Sequence, residues 1–260
     1  MSYALVTGAA KGIGKAIALQ LAAKQYDLLL VDVDAPKLEL AQHEIKTAYN
    51  NHIQILAVDL SNAETPQQIK KWSEPWHNEL TVLVNNAAFG LNGAFETLSL
   101  QDQLDIVNVN VKAVVALCHL FIPVLHNKPQ AYILNIGSNA GYQPVPYLNM
   151  YASSKAFIIS FTRSLRYELR KTNISVSCVS PGSTDTNFVD RAGMGKAIRK
   201  TADKYNMTPQ AVATIAVNAV FNKKAETITG LSTKLGIFLS WLAPKALSEK
   251  FGADIFQRKD

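Results

Sequence analysis

The chain has 260 residues, 48% of them apolar, with two cysteines, five scattered histidines and a formal charge of +6. That length suits one large α/β domain with a sizeable core. Met1 leads straight into a strand, no uncharged apolar run reaches bilayer length, and no Cys/His cluster has metal-ligand spacing, so a cytoplasmic, metal-free protein without a membrane span is expected.

Ser2 to Thr7 is a short apolar run and reads as a buried strand. It breaks into Gly8-Ala9-Ala10-Lys11-Gly12-Ile13-Gly14, and a helical pattern follows with Ile17, Leu21 and Ala22 on its apolar face. A strand, a glycine turn and a helix make a dinucleotide-binding arrangement. The glycines admit a pyrophosphate, and the helix start offers free N–H groups. The spacing is G-x-x-x-G-x-G rather than the general G-x-G-x-x-G, so an ordinary strand-to-helix turn is the competing reading. The second strand, Asp27–Asp32, ends in an acid where an adenosine ribose would sit. A carboxylate there accepts from both ribose hydroxyls and repels a 2′-phosphate. Asp34 can share that role.

Further strands are expected at 53–58, 81–85, 131–137, 174–179 and 226–229. Helices are expected near 12–25, 36–49, 64–78, 101–125, 151–171 and 209–221. This alternation implies right-handed crossovers and a parallel sheet of about seven strands with helices on both faces, a Rossmann-type doubly wound α/β domain. Ligands then bind beyond the carboxyl ends of the strands. Cys118 and Cys178 fall in apolar patterns and are expected to be reduced and buried. Residues 184–208 carry Gly193 and Gly195 in a helical composition and read as a lid over the substrate or as a surface excursion. Residues 231–260 form an amphipathic extension interrupted by Pro244. It is expected to pack on the same domain or on a second subunit rather than to anchor in a membrane.

Charge is uneven along the chain. Residues 1–185 carry 14 Lys/Arg and 14 Asp/Glu, whereas residues 186–260 carry 12 and 6. This excess is either a solvated basic face or a region attracted to anionic groups. No basic stripe with interleaved aromatics is present, so nucleic acid is not an expected partner.

Tyr151 and Lys155 stand four apart in Y-A-S-S-K, with Ser138 thirteen residues before the tyrosine. On a helix, that spacing puts phenol and ammonium on one face. A neighbouring cation lowers a tyrosine pKa and makes the side chain usable as an acid/base near neutral pH. A surface i,i+4 pair is the plainer alternative.

Together, T-G-A-A-K-G-I-G at 7–14, N-N-A-A at 85–88, Asn110, Ser138, Y-A-S-S-K at 151–155 and P-G at 181–182 resemble the short-chain dehydrogenase/reductase family. The likeness covers roughly residues 1–187. A looser one, in the C-terminal segment, is to the bacterial oxidoreductases labelled DltE-like. The resemblance implies a catalytic set of Asn110, Ser138, Tyr151 and Lys155, with Asn108 as an alternative to Asn110. It implies cofactor contacts from Gly8, Lys11, Gly12, Ile13, Gly14, Asp32, Asp59, Leu60, Asn85, Asn86, Ala87, Tyr151, Lys155, Pro181, Gly182 and Thr186. It also implies a homo-oligomer, a dimer at minimum, joined through helices 101–125 and 151–171. Beyond Thr229-Gly230 the chain departs from the glycine-rich tail of many tetrameric members, which puts a tetramer in doubt.

The expected activity is NAD(P)-dependent hydride transfer between a secondary alcohol and a ketone. Asp32 favours NAD, while Lys11 in the glycine turn favours NADP. The alternatives are a reductase of a carrier-linked acyl chain, a non-catalytic dinucleotide-binding protein, and a peripheral membrane protein attached through 231–260.

Overall fold

Near-continuous apolar runs become the central sheet of the computed structural model, because helices cover both of its faces. The structure describes residues 2–184, 188, 192–194 and 206–257. The strands are β1 (Ser2–Thr7), β2 (Tyr26–Asp32), β3 (Ile53–Ala57), β4 (Leu80–Asn85), β5 (Ala131–Ile136), β6 (Ile174–Ser180) and β7 (Glu226–Ile228). They lie in the order β3-β2-β1-β4-β5-β6-β7, all parallel. The direction of winding reverses between β1 and β4. Chain crossovers diverge there and leave a crevice at the carboxyl ends.

The helices are α1 (Gly12–Ala23), α2 (Ala35–Ala48), α3 (Thr65–Ser73), α4 (Leu100–Val107), α5 (Ala113–His126), α6 (Asn149–Glu168), α7 (Pro209–Phe221), α8 (Leu231–Leu242) and α9 (Lys245–Phe256). Two apolar layers hold them. One side buries Ile17, Leu21, Leu30, Val84 and Val217, and the other buries Leu5, Leu29, Leu83, Phe121 and Ile158. Odd and even strand residues divide between the layers, as the two-residue strand period requires.

The expected helix 101–125 is not one regular helix. A π-helical turn, Asn108–Lys112, separates α4 from α5. Such turns are rare and concentrate at functional sites. The continuous helical stretch Leu100–His126 is, by length and composition, long and apolar enough to cross a membrane, but Asp102, Asp105 and Lys112 interrupt it, so no uncharged run reaches that length. Here it packs with Ile106, Asn110, Leu117 and Phe121 buried in the domain. Val114, Leu117, Ile158 and Ile159, on the two helices expected to join subunits, are core residues too. Phe157 stays 44% exposed and stacks on Phe161, with ring centroids 5.9 Å apart.

The C-terminal extension forms two helices, with the break at Ala243–Pro244. Among the described residues it packs on the domain at several places. Thr233 lies against Gly182, Gly252 lies against the 144–146 loop, and Phe256 joins a small cluster with Leu148 and Tyr151. Much of α8 nevertheless faces outward, including Leu235, Phe238, Leu239 and Trp241. The expected lid 184–208 lies largely outside the described residues.

Candidate active site

The glycine turn is shaped by close approach as much as by backbone freedom. Gly8 and Gly12 adopt φ of 68° and 57°, a left-handed region costly to other residues. A Cβ on Gly14 would stand 2.0 Å from the Gly8 carbonyl oxygen and 2.4 Å from Asn86 Nδ2. Asn86 staples the turn from β4: its Nδ2 donates to the carbonyls of Thr7 (3.0 Å) and Gly8 (3.1 Å). Thr7 answers with its hydroxyl oxygen, which accepts from the backbone N–H of Asn86 (3.1 Å) and Ala87 (3.2 Å). Sequence reasoning missed Thr7. Its position on the last residue of β1, just before the glycines, is the signal that could have found it.

A cleft of about 540 Å³ opens above this turn. Gly8, Lys11, Gly12 and Ile13 form its floor. Asp32 stands on its wall at the end of β2, with one carboxylate oxygen accepting from Ala10 N at 2.9 Å and the other from Asp34 N at 3.1 Å. Asp34 instead caps α2, accepting from Lys37 N at 3.3 Å. Asp59, Leu60, Asn86 and Ala87 continue the lining, followed by Ser138, Tyr151, Lys155, Pro181 and Gly182. The structure thus brings most of the expected site residues into one crevice.

Three expected site residues fall elsewhere. Gly14 lies beneath the turn and serves its packing rather than the lining. Asn85 points into the core, not toward an adenosine: its Nδ2 donates to Asn135 Oδ1 (2.8 Å) and Cys118 Sγ (3.4 Å). Alternation along β4 sends its side chain to the opposite face from that of Asn86. Asn110 is buried behind the cleft, in the π-helical turn. Its Oδ1 accepts from Phe89 N (3.1 Å), and its Nδ2 donates to the Phe89 carbonyl (2.9 Å) and to Ser154 Oγ (3.0 Å). Asn108 bonds Asp105 and is excluded from this position. Thr186 lies outside the described residues.

The chemical centre is built on α6. Ser138 lies two residues beyond the end of β5, and its hydroxyl oxygen accepts from Ala140 N at 3.2 Å. Its Oγ donates to Asn139 Oδ1 at 3.2 Å and lies near enough to Tyr151 to lower the pKa of the phenol. Tyr151 is pinned by Gly90, where a Cβ would stand 2.9 Å from its own, and the Phe188 ring lies 4.8 Å away, centroid to centroid. Ser154 locks the backbone beneath, donating to the Tyr151 carbonyl at 2.7 Å while accepting from Asn110. Lys155 Nζ donates to the Ile136 carbonyl at 2.8 Å and lies 5.8 Å from the Tyr151 ring centroid.

The titration pattern corrects the expectation that Lys155 pulls the phenol down. Burial raises Tyr151 above its ordinary value of 10.0, and the Ser138 hydrogen bond opposes that only in part. Burial also lowers Lys155 to about 8. A desolvated ammonium favours its neutral form, so burial moves both equilibria toward the uncharged state, and at about 8 Lys155 still holds its proton at neutral pH.

These residues suit a nicotinamide dinucleotide. Lys11, at the N-cap of α1, forms no side-chain cap, so the first-turn N–H groups and the positive helix end are left for an anion. Asp32 is placed for a ribose diol, and Ser138, Tyr151 and Lys155 lie further along the same cleft.

The comparisons with known proteins agree. Ketoacyl reductase HetN of Nostoc sp. is 30% identical over 98% of this chain and 91% of its own length. Very-long-chain 3-oxoacyl-CoA reductase-A of Danio rerio is 30% identical over 84% of this chain, which spans only 66% of that relative. Among solved structures, a 7beta-hydroxysteroid dehydrogenase superposes with a TM-score of 0.87 at 20% identity, covering 97% of this chain and 96% of that one. The short chain dehydrogenase family matches residues 2–197. The chain belongs to the short chain dehydrogenase family of NAD(P)-dependent oxidoreductases.

Proposed function

We propose that the protein interconverts a ketone and a secondary alcohol, with Tyr151 as the acid/base. The observation that carries this reading is the convergence of Ser138, Tyr151 and Lys155 in the cleft that also holds the glycine turn and Asp32. The bound nicotinamide would supply or accept the hydride, and the protein's own residues do the rest. The Ser138 hydroxyl orients the substrate oxygen. Tyr151 gives it a proton in reduction and removes one in oxidation. A phenol held above its ordinary pKa stays protonated at neutral pH, which suits reduction. Lys155 lines the same region and would hold the nicotinamide ribose. Asn110 acts at one remove, through Ser154 and the Phe89 backbone.

NAD is the preferred cofactor in this reading. Asp32 faces the ribose from the strand end, whereas the long Lys11 side chain can swing into solvent. The protein works in the cytoplasm as a homodimer at minimum, and exposed Phe157 and Leu104 on α6 and α4 are the supporting surface. Residues 1–260 act as one catalytic domain, with 184–208 as its lid. The test is a panel of ketones and alcohols followed at the nicotinamide absorbance band. Absence of turnover with every member, despite cofactor binding, would favour a non-catalytic dinucleotide-binding protein.

A second reading is reduction of a carrier-linked acyl chain. It is motivated by the basic excess after residue 185 and by the two relatives named as acyl reductases. A 3-oxoacyl thioester added to the same panel separates it from simple ketone reduction.

A further inference from the structure

The C-terminal helix reaches into the cleft. Phe256, the last residue of α9, lines it together with Leu148, Phe188 and Met194, and these apolar side chains surround Tyr151. One amide holds this end together. Asn92 is 1% exposed, and its Nδ2 donates to the carbonyls of both Phe256 (2.9 Å) and Tyr147 (3.0 Å). Its backbone N–H donates to the Ala192 carbonyl at 2.8 Å, and Ala192 N donates in turn to the Phe188 carbonyl at 2.8 Å. Three chain segments that share no local sequence therefore meet on a single residue. The helix packs with Gly252 over Pro146, close enough that a Cβ there would sit in van der Waals contact, 3.4 Å from Cδ.

We infer that this end of the cleft is a subsite for an apolar alkyl or acyl chain on the reacting carbon, walled by Phe256 and held in register by Asn92. The inference rests on the hydride-transfer reading for its chemistry but not for its binding. Its apolar wall offers a polar substituent no side-chain partner, whereas each methylene buried there tightens binding by about fourfold. Asn92 touches no substrate and is a positioning residue. Losing its donors takes the Asn92 hydrogen bond from the Phe256 carbonyl, leaves the Tyr147 carbonyl with the Gly93 N–H alone (2.9 Å), and frees the end of α9 to shift.

The test compares 2-butanone with 2-decanone as substrates, alongside equilibrium binding of decanamide, which carries the chain but no reducible ketone, to the cofactor-loaded protein. Wild type is expected to favour 2-decanone and to bind decanamide. Phe256→Ala should cut that preference by about tenfold, through KM rather than kcat, and weaken decanamide similarly, with a smaller loss on 2-butanone. Asn92→Asp should reproduce the shift. The double variant should cost little more than either single change, because both act on one wall. If Asn92→Asp fails to fold, the Phe256→Ala result decides alone. Wild type that binds decanamide but reduces neither ketone supports the subsite and rejects the proposed reaction. Unchanged decanamide affinity and an unchanged ketone ratio in Phe256→Ala would overturn the subsite.

Discussion

The two ends of the cleft are held by different means. The nucleotide end is stitched by neighbours in the sheet: Thr7, Gly8 and Asn86 lie on adjacent strands β1 and β4 or in the turns that follow them. The substrate end is gathered from residues 92, 147, 188, 192, 194 and 256, tied by Asn92 across as many as 164 residues of chain. Parallel strands force the first kind of contact as soon as the sheet forms. The second kind depends on a terminal helix docking onto a finished domain, and its partner surface can change without disturbing the sheet. A fold can therefore keep one cofactor end while varying what it accepts at the other.

Tyr151 lies where the two ends meet, so its loss should be the most damaging. Tyr151→Phe is expected to lower turnover by about 10²–10⁴-fold with nearly unchanged cofactor affinity. Steady-state rates and a cofactor titration check this, and retention of more than about a tenth of the activity would remove Tyr151 from the acid/base role.

Asp32 sharpens the comparison at the nucleotide end. A 2′-phosphate beside its carboxylate costs about 1–3 kcal/mol. Asp32→Ala should accordingly shift the NAD/NADP ratio of kcat/KM toward NADP by about tenfold or more. Wild type that prefers NADPH, or a variant with the same ratio, would show that Asp32 does not select the cofactor.

Gly14→Ala should break the nucleotide end alone. Its Cβ would collide with the Gly8 carbonyl, and overpacking of this kind costs about 1–3 kcal/mol. Weakened cofactor binding with intact decanamide binding in the cofactor-free protein is the expected split. Equal loss of both would mean that the two ends are not independent.

The smallest effect is on stability against pH. Between pH 8 and 10.5 the unfolded chain keeps a proton on Lys155 that the folded chain releases. The unfolded state then binds more protons, so this group's contribution makes stability rise with pH across that window. Above pH 10, Tyr151 acts oppositely, because the folded state holds its proton longer. Denaturant midpoints at pH 8 and 10 should show a gain in wild type that Lys155→Met lacks.

Local pattern carried much of this molecule. Apolar runs of strand length, glycines before a helix and an i,i+4 Tyr/Lys pair are properties of short segments, so the parallel sheet, the turn at Gly8–Gly14 and the grouping of Ser138, Tyr151 and Lys155 could all be read from the chain. Their environment could not. Whether Lys155 lowers the Tyr151 pKa depends on a balance between charge and desolvation that only burial sets, and burial prevailed. Asn85 and Asn86 are identical letters side by side, and the pleat of β4 sends one into the core and the other to the cleft. Asn92 carried no signal at all, since a lone asparagine in a loop is unremarkable until three distant backbones converge on it. What short-range geometry dictates is written in the chain. What depends on which surfaces meet, and how dry they become, was decided by the tertiary structure.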